Sequence, residues 1–326
     1  MPRVQQPVSP PETSTALLMH TAATMYYLED ATQAEIAATL GMSRPAVSRL
    51  LSEARRTGIV RIEVAPLGED SNPGLGEQLR VALNLDAVSL VPVSPPSMIG
   101  RALAPALNSM LLEANLRPGS VLLLATGRAL YETLQGGLPA LPGVMVVPAV
   151  GGQDEPEAWY QANELVRKMA EGIGGFPAFL YAPALPGEEL HSTLQSDEST
   201  SHVRELWNRA GCAVLGIGAP PAVRQSISAA IPMSASNLKT DAVGDVSLRF
   251  FDANGENVPF PGSERLFAIP TEQLKRIPVR IALAAGEEKA PSIIGAARGK
   301  FISHLITDSS TATKVLQSLG IDQNNG

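Results

Sequence analysis

Thr32-Gln33-Ala34-Glu35-Ile36-Ala37-Ala38-Thr39-Leu40-Gly41-Met42-Ser43-Arg44-Pro45-Ala46-Val47-Ser48-Arg49-Leu50-Leu51 decides the architecture of the N-terminal part of the chain. Thr32 and Glu35, three residues apart, form the pair that closes a helix N-terminus reciprocally. Ile36, Ala37 and Leu40 give that helix a single apolar face. Gly41-Met42 ends it, the glycine supplying a left-handed conformation. Ser43 stands where a second helix needs a cap, and Pro45 lies in its first turn, where a missing N–H costs little. Val47, Leu50 and Leu51 line the inner face of the second helix. Two short helices, a glycine turn and an apolar seam predict a helix-turn-helix. A preceding helix over residues 14–28 carries Leu17, Leu18, Ala22, Met25, Tyr26 and Leu28 at spacings that pack behind the pair. These are more apolar positions than so small a unit needs, which points to sharing with a partner. Gly58-Ile59-Val60-Arg61-Ile62-Glu63-Val64 alternates like a short strand and predicts a wing.

Charge gives this motif a direction. From Ser43 to Arg61 there are five arginines (Arg44, Arg49, Arg55, Arg56 and Arg61) and one acid, Glu53. Residues 1–66 as a whole hold six basic and six acidic side chains, whereas residues 67–326 hold 19 and 26. The formal charge of −7 therefore belongs entirely to the second part of the chain. Ser43, Arg44, Pro45, Ser48 and Arg49 lie off the apolar seam, where such a helix meets base edges and phosphates, and Thr32 and Gln33 open the helix that crosses the backbone. The pattern points to double-stranded DNA. One motif makes too few contacts for useful specificity, so a homo-oligomer reading repeated half-sites is expected.

Composition narrows the remaining classes. The length of 326 residues suggests two domains, and the hydrophobic share of 44% against 17% charged is that of a globular chain with ample core material. An aromatic content of 4% argues against base stacking on single strands as the main activity. The single cysteine, Cys212, lies in the apolar run Ala210-Gly211-Cys212-Ala213-Val214-Leu215 and reads as a core residue. The four histidines are scattered without ligand spacing, so no metal or other cofactor is expected. No apolar run approaches the roughly 20 residues of a spanning helix, and the N-terminal stretch has no apolar signal core, so a cytoplasmic protein without membrane contact is expected.

Residues 1–13 contain four prolines and no hydrophobic period, the pattern of a disordered tail. The DNA-binding unit is assigned to residues 14–66. Gly68-Glu69-Asp70-Ser71-Asn72-Pro73-Gly74 marks a linker over 67–76, followed by an effector domain over 77–320 and a tail over 321–326. Within the larger part, apolar runs at 87–91, 120–124, 144–147, 179–181, 213–217, 279–284 and 302–306 alternate with helical periods at 99–112, 160–171, 199–208 and 291–298. Strands apolar throughout and separated by helices predict an α/β domain built on a parallel sheet covered on both faces.

With these segments assigned, the chain resembles the SorC-type sugar-responsive transcriptional regulators. The resemblance rests on the Thr32–Leu51 stretch with Ala54-Arg55, Gly58-Ile59-Val60 and Ile62. It continues through Pro148-Ala149-Val150-Gly151-Gly152 with Asn163, Gly216-Ile217-Gly218, Ala242-Val243-Gly244-Asp245, Arg249-Phe250-Phe251-Asp252, Gly286-Glu287-Glu288-Lys289-Ala290-Pro291, and Leu305-Ile306-Thr307-Asp308 with Thr311-Ala312. It implies a winged helix-turn-helix followed by a Rossmann-like parallel-sheet effector domain with the fold of sugar-phosphate isomerases and coenzyme A transferases. It also implies a tetramer, and a small-molecule effector (sugar, polyol or sugar phosphate) that alters operator binding. The chain departs from the usual pattern at Ala125-Thr126-Gly127-Arg128-Ala129, where a Ser-Trp-Gly segment with a later threonine is customary, and at Val246-Ser247-Leu248, where a glycine usually precedes the arginine.

The resemblance places Thr126, Gly127, Arg128, Gly151, Gly152, Gln153, Asn163, Asp245, Asp252, Lys289 and Asp308 at the effector site. Several carry a second reading from local chemistry. Gly151-Gly152 also suits a sharp turn after a buried strand, Asn163 a cap, Asp245 and Asp252 turns, Lys289 a solvated surface and Asp308 a helix cap. Two other functions compete with the regulator: an isomerase-like α/β enzyme carrying an accessory helix-turn-helix, and a protein-docking module. No His/Glu or Asp/Lys pair has a recognisable catalytic spacing, and the arginine cluster disfavours the second.

Overall fold

The computed structural model describes residues 13–29, 31–60, 74–95, 98–223, 231 and 237–321. Of the expected tail over residues 1–13, Thr13 instead begins the first helix and the rest lies outside the described residues, as do the wing beyond Val60 with Arg61, the linker up to Pro73 and all but Ile321 of the expected tail over 321–326. The chain divides into two compact units, residues 1–66 and 67–326.

The first unit is three helices: α1 (Thr13–Tyr27), α2 (Gln33–Thr39) and α3 (Arg44–Arg56). Their core is small: Met19, Ala22 and Ala23 of α1 meet Ile36 and Ala37 of α2 and Val47, Leu51 and Ala54 of α3. Met25 and Tyr26 pack against this core as expected. Leu17, Leu18 and Leu28 do not; they stand exposed, because Met19 and Ala23 take the inward positions instead.

In the second unit, seven strands form one parallel sheet: β1 (Ala87–Val91), β2 (Val121–Leu124), β3 (Met145–Pro148), β4 (Phe176–Pro177), β5 (Ala210–Gly216), and, after a two-stranded hairpin, β8 (Val279–Leu283) and β9 (His304–Asp308). The hairpin is β6 (Gly244–Val246) and β7 (Arg249–Phe251). The order across the sheet is β1-β9-β8-β5-β2-β3-β4. From β2 the chain winds outward to β3 and β4; from β5 it winds the other way. The switch point therefore falls between the carboxyl ends of β2 and β5, where open α/β sheets part their loops into a crevice.

Side-chain alternation along the strands sorts two helical layers. Leu122, Leu124, Val146, Val214 and Ile281 face α5 (Ile99–Glu113), α6 (Arg128–Thr133) and α7 (Ala162–Ile173). Val121, Leu123, Val147, Ala213, Leu215 and Ala282 face α4 (Leu75–Leu83), α9 (Glu198–Asn208), which follows the short α8 (Glu188–Ser196), α12 (Ala290–Arg298) and α13 (Ser309–Ser318). Cys212 is fully buried on the first side, where loss of water pushes its thiol up to about 12. A third cluster, around Val150, Leu248, Phe250, Phe260 and Leu266, joins the hairpin to the short α10 (Leu238–Asp241), ahead of α11 (Thr271–Arg276).

The structure moves three boundaries. Leu75 and Gly76, read as linker, begin α4, where Leu75 is buried against the sheet domain. The strand expected at 179–181 lies instead at Phe176–Pro177, because Asn163 takes both the N–H and the carbonyl of Leu180. The hairpin turn expected at Asp252–Gly255 is preceded by an unanticipated tighter one, Ser247-Leu248, which joins β6 to β7.

Candidate DNA-binding face and effector cleft

The capping box at Thr32 is complete. The Glu35 N–H donates to Thr32 Oγ1 at 3.3 Å, and the Thr32 N–H donates to Glu35 Oε2 at 2.8 Å. These hydrogen bonds hold the Glu35 carboxyl below the usual carboxylate range. The turn closes as the sequence predicts: Gly41 sits at φ +63°, the Met42 N–H reaches the Ala37 carbonyl at 2.9 Å, and the Gly41 N–H reaches Ala38.

Ser43 departs from expectation. It occupies the N-cap of α3 with extended backbone, yet its hydroxyl makes no capping hydrogen bond. Pro45 removes the N–H at the second helical position, and the Ala46 N–H goes to the Ser43 carbonyl at 2.9 Å. Ser43, Arg44, Pro45, Ser48 and Arg49 are all exposed along the first turns of α3. Arg44 and Arg49 have no carboxylate partner among the described residues, and Arg55 bonds only Ser52 Oγ, at 3.3 Å. Arg56 differs: Glu53 binds it through both carboxylate oxygens, which neutralises one of the five arginines locally.

At the other unit, the sequence-predicted residues gather along the carboxyl edge of the sheet. Thr126, Gly127 and Arg128 follow β2, Gly151, Gly152 and Gln153 follow β3, Lys289 follows β8, and Asp308 ends β9. The hairpin joins them, since Asp245 bridges to Gly218 just beyond β5. The opposite edge has a cavity of about 430 Å³ with Arg280, Arg298 and Lys300 in its lining. Arg298 closes the last turn of α12, where a cation answers the helix dipole, and it and Arg280 donate to the backbone carbonyls of Ala253 and Ile277 respectively.

Gln153 bridges the loops that follow β2 and β3, beside the switch point. It is buried, its Nε2 donates to Thr126 Oγ1 at 3.2 Å, and its Oε1 is buried without a hydrogen-bond partner. A buried acceptor in that condition costs about 1–3 kcal/mol unless something fills it. Glu157, further along the same connection, also has a buried carboxylate oxygen, Oε2, without a partner. Sequence reasoning missed Glu157 and its neighbour Trp159, one of two tryptophans in the chain. Trp159 is half-buried, its carbonyl accepts the Gly127 N–H at 3.0 Å, and its ring lies 6.4 Å from that of Tyr131.

The glycine N–H groups along this edge are already engaged. Besides Gly127, Gly151 donates to Phe267 O (2.9 Å), Gly152 to Ala182 O (2.8 Å), Gly218 to Asp245 O (3.0 Å), and Gly286 to Thr311 Oγ1 (2.8 Å). Gly151 is glycine for a packing reason: a Cβ there would stand 2.5 Å from the Ala182 carbonyl oxygen. Arg128 is exposed and 3.9 Å from Glu132.

Four predicted residues have structural partners within the fold. Asn163 clamps Leu180, as described. Asp308 caps α13 through the Thr311 N–H (2.9 Å), and its other oxygen accepts from Thr311 Oγ1 (2.6 Å) and the Gly286 N–H (3.2 Å). Burial would raise its carboxyl, but hydrogen bonds from Ser310, Thr311 and Gly286 outweigh that and hold it below the ordinary aspartate value. Asp252 forms its own turn, accepting from the Asn254 and Glu256 N–H groups, beside Gly295 and Arg298 in the later part of α12 rather than with the other residues. Asp245 accepts the Leu248 N–H at 2.9 Å and so fastens the Ser247-Leu248 turn. Arg249, also missed as a structural element, is largely buried, and its guanidinium donates to the carbonyls of Ala268 and Ile269. It thereby ties the hairpin to the strand-like segment that bridges Val150.

A helix-turn-helix unit followed by a sugar-binding type of α/β domain defines a class of transcriptional regulator, and the comparisons with known proteins agree. Residues 71–317 match the Sugar-bind family of sugar-binding domains, and residues 24–57 match Sigma-70, region 4. The chain is 30% identical to the sorbitol operon regulator of Klebsiella pneumoniae over 90% of its own length and 96% of that protein. It is 31% identical to the transcriptional regulator LsrR of Escherichia coli, over 90% and 92% respectively. The crystal structure of the full-length sorbitol operon regulator SorC superposes with a TM-score of 0.75 at 28% identity, covering 92% of this chain and 98% of that one. The chain belongs to the SorC family of sugar-responsive transcriptional regulators.

Among the described residues, no helix is long and apolar enough to cross a membrane.

Proposed function

We propose that the chain is a cytoplasmic homo-oligomeric regulator, a tetramer assembled as paired dimers, that binds double-stranded operator DNA and releases or tightens it in response to a carbohydrate effector. The observation that carries the DNA reading is the row Ser43, Arg44, Pro45, Ser48 and Arg49, exposed on α3 of a charge-balanced unit in an otherwise acidic chain. Thr32 and Gln33 at the start of α2 and Arg55, Arg56 and Arg61 beyond the reading turns contribute phosphate contacts. Glu53 must yield Arg56 for that contact to form.

The effector binds at the switch point, among Thr126, Gly127, Arg128, Gly151, Gly152, Gln153 and Lys289. Asn163, Asp245 and Asp308 act by holding the surrounding loops, and Asp252 enters only as a turn former. A sugar, polyol or sugar phosphate suits a family whose members include a sorbitol operon regulator and a deoxyribonucleoside regulator of Bacillus subtilis. Relatives named as regulators over nearly their whole length favour a sensor over an isomerase. The deciding measurement is fluorescence anisotropy of the full-length protein on DNA from upstream of its own gene, with and without pentoses, hexoses, polyols and their phosphates. Affinity that one of these compounds shifts supports the reading; turnover of a sugar phosphate at an enzyme-like rate would overturn it.

A further inference from the structure

Two side-chain acceptors on the connection that follows β3 are buried without a hydrogen-bond partner. Gln153 donates one of its two amide N–H groups to Thr126 and leaves Oε1 buried with no partner, and Glu157 leaves Oε2 in the same condition. The glycine N–H groups along this edge are committed to Trp159, Phe267, Ala182, Asp245 and Thr311, which leaves its backbone donors to the first N–H groups of α6. Charge runs the same way: the loops at 125–129, 149–161 and 284–289 carry two cations, Arg128 and Lys289, against five carboxylates. A phosphate dianion brings only acceptors and negative charge to such a site, whereas a hydroxyl brings the proton that an orphaned carbonyl or carboxylate oxygen lacks. Trp159, half-buried, with its carbonyl on the Gly127 N–H and its ring beside those of Tyr131 and Tyr160, adds aromatic surface to the same connection.

We infer that the cleft selects an uncharged polyhydroxylated ligand, a sugar or polyol, whose hydroxyls donate to Gln153 and Glu157, and that it discriminates against phosphate esters. This rests on the effector reading above and narrows it. Isothermal titration calorimetry of the full-length protein, with hexitols, hexoses and pentoses each paired with its monophosphate ester and with inorganic phosphate as a control, tests it. The expected result is a neutral ligand that binds at least tenfold more tightly than its ester. An ester that binds more tightly than its parent, and shifts operator affinity, would overturn the selectivity and leave the regulator reading intact. Silence across the whole panel from protein that still binds operator would overturn the carbohydrate effector itself.

Gln153→Leu should weaken the neutral ligand at least tenfold with operator affinity in the absence of ligand unchanged. Gln153→Glu, which keeps an acceptor in place, should retain ligand affinity within about threefold; equal loss in both variants would remove Gln153 from the recognition. Glu157→Gln should narrow the preference for the neutral compound, and an unchanged ratio would count against its role.

Discussion

Ser43 stands at the N-cap of α3 without capping it: Pro45 has no N–H to offer, and the Ala46 N–H goes to the Ser43 carbonyl instead of its hydroxyl. An uncapped hydroxyl next to Arg44, with Arg49 one and a half turns further on, leaves the start of α3 to an external partner. Arg49→Ala should therefore lower operator affinity about tenfold per half-site and reduce the slope of log K against log salt by about one for each phosphate it no longer neutralises. Effector binding should not change; anisotropy titrations at several salt concentrations check the first part and calorimetry the second. Asp308 makes the opposite kind of prediction, since its carboxylate serves the fold. Its pKa is depressed in the folded state, so the stability it contributes is complete above the unfolded value near 4 and is lost as pH falls through the lower folded value. Asp308→Asn should cost about 1–2 kcal/mol at neutral pH and flatten the acid limb of a stability–pH profile measured by urea unfolding.

Elements differ in how clearly the sequence announced them. The helix-turn-helix was legible because each local signal agrees: a capping box, a left-handed glycine, a proline in the first turn and one apolar seam. Strands β2, β3 and β5 were legible because burial on both faces writes near-continuous apolar runs, whereas Ser89 interrupts β1, Arg280 interrupts β8, and β9 runs on from the expected 302–306 to the polar Thr307 and Asp308. The hairpin β6–β7 was not. Its turn puts Ser247 and Leu248 at φ +52° and +64°, where sequence signals lead one to look for Asn-Gly, and Leu248 holds that conformation because its side chain is buried and Asp245 fastens its N–H. The site residues were legible as positions at strand ends, but not the division between those that bond each other's backbone and those with an orphaned oxygen, which depends on pairings 17 to 27 residues apart, such as Asn163 with Leu180 and Gln153 with Thr126. Two glycines separate conformation from packing. Gly41→Ala meets open space and should cost only about 1 kcal/mol for its left-handed φ, whereas Gly151→Ala drives a Cβ into the Ala182 carbonyl and should cost about 2–3 kcal/mol. Thermal unfolding of the two variants should rank them in that order, and a reversal would show that the loop after β3 moves freely.

For the molecule as a whole, the charge division sets where DNA binds and linkage sets what binding does. On the proposed reading, the acidic second unit repels a polyanion, which confines DNA to the arginine face of the first and makes association steeply salt-dependent. If the effector alters operator affinity by a factor, thermodynamic reciprocity requires operator DNA to alter effector affinity by the same factor, whichever its direction. In the proposed tetramer the route open to such coupling is a change in subunit packing that alters the spacing of two reading heads, which a monomeric head cannot report. Two measurements on one preparation test this: operator affinity at saturating effector, and effector affinity at saturating operator. The two factors should agree within error, in the range of about 5–150 that such couplings span. An operator fragment holding a single half-site should show a much smaller factor at the same salt, because spacing no longer matters on it. Full coupling on the half-site would place the switch within each DNA-binding unit and rule out the route through subunit packing.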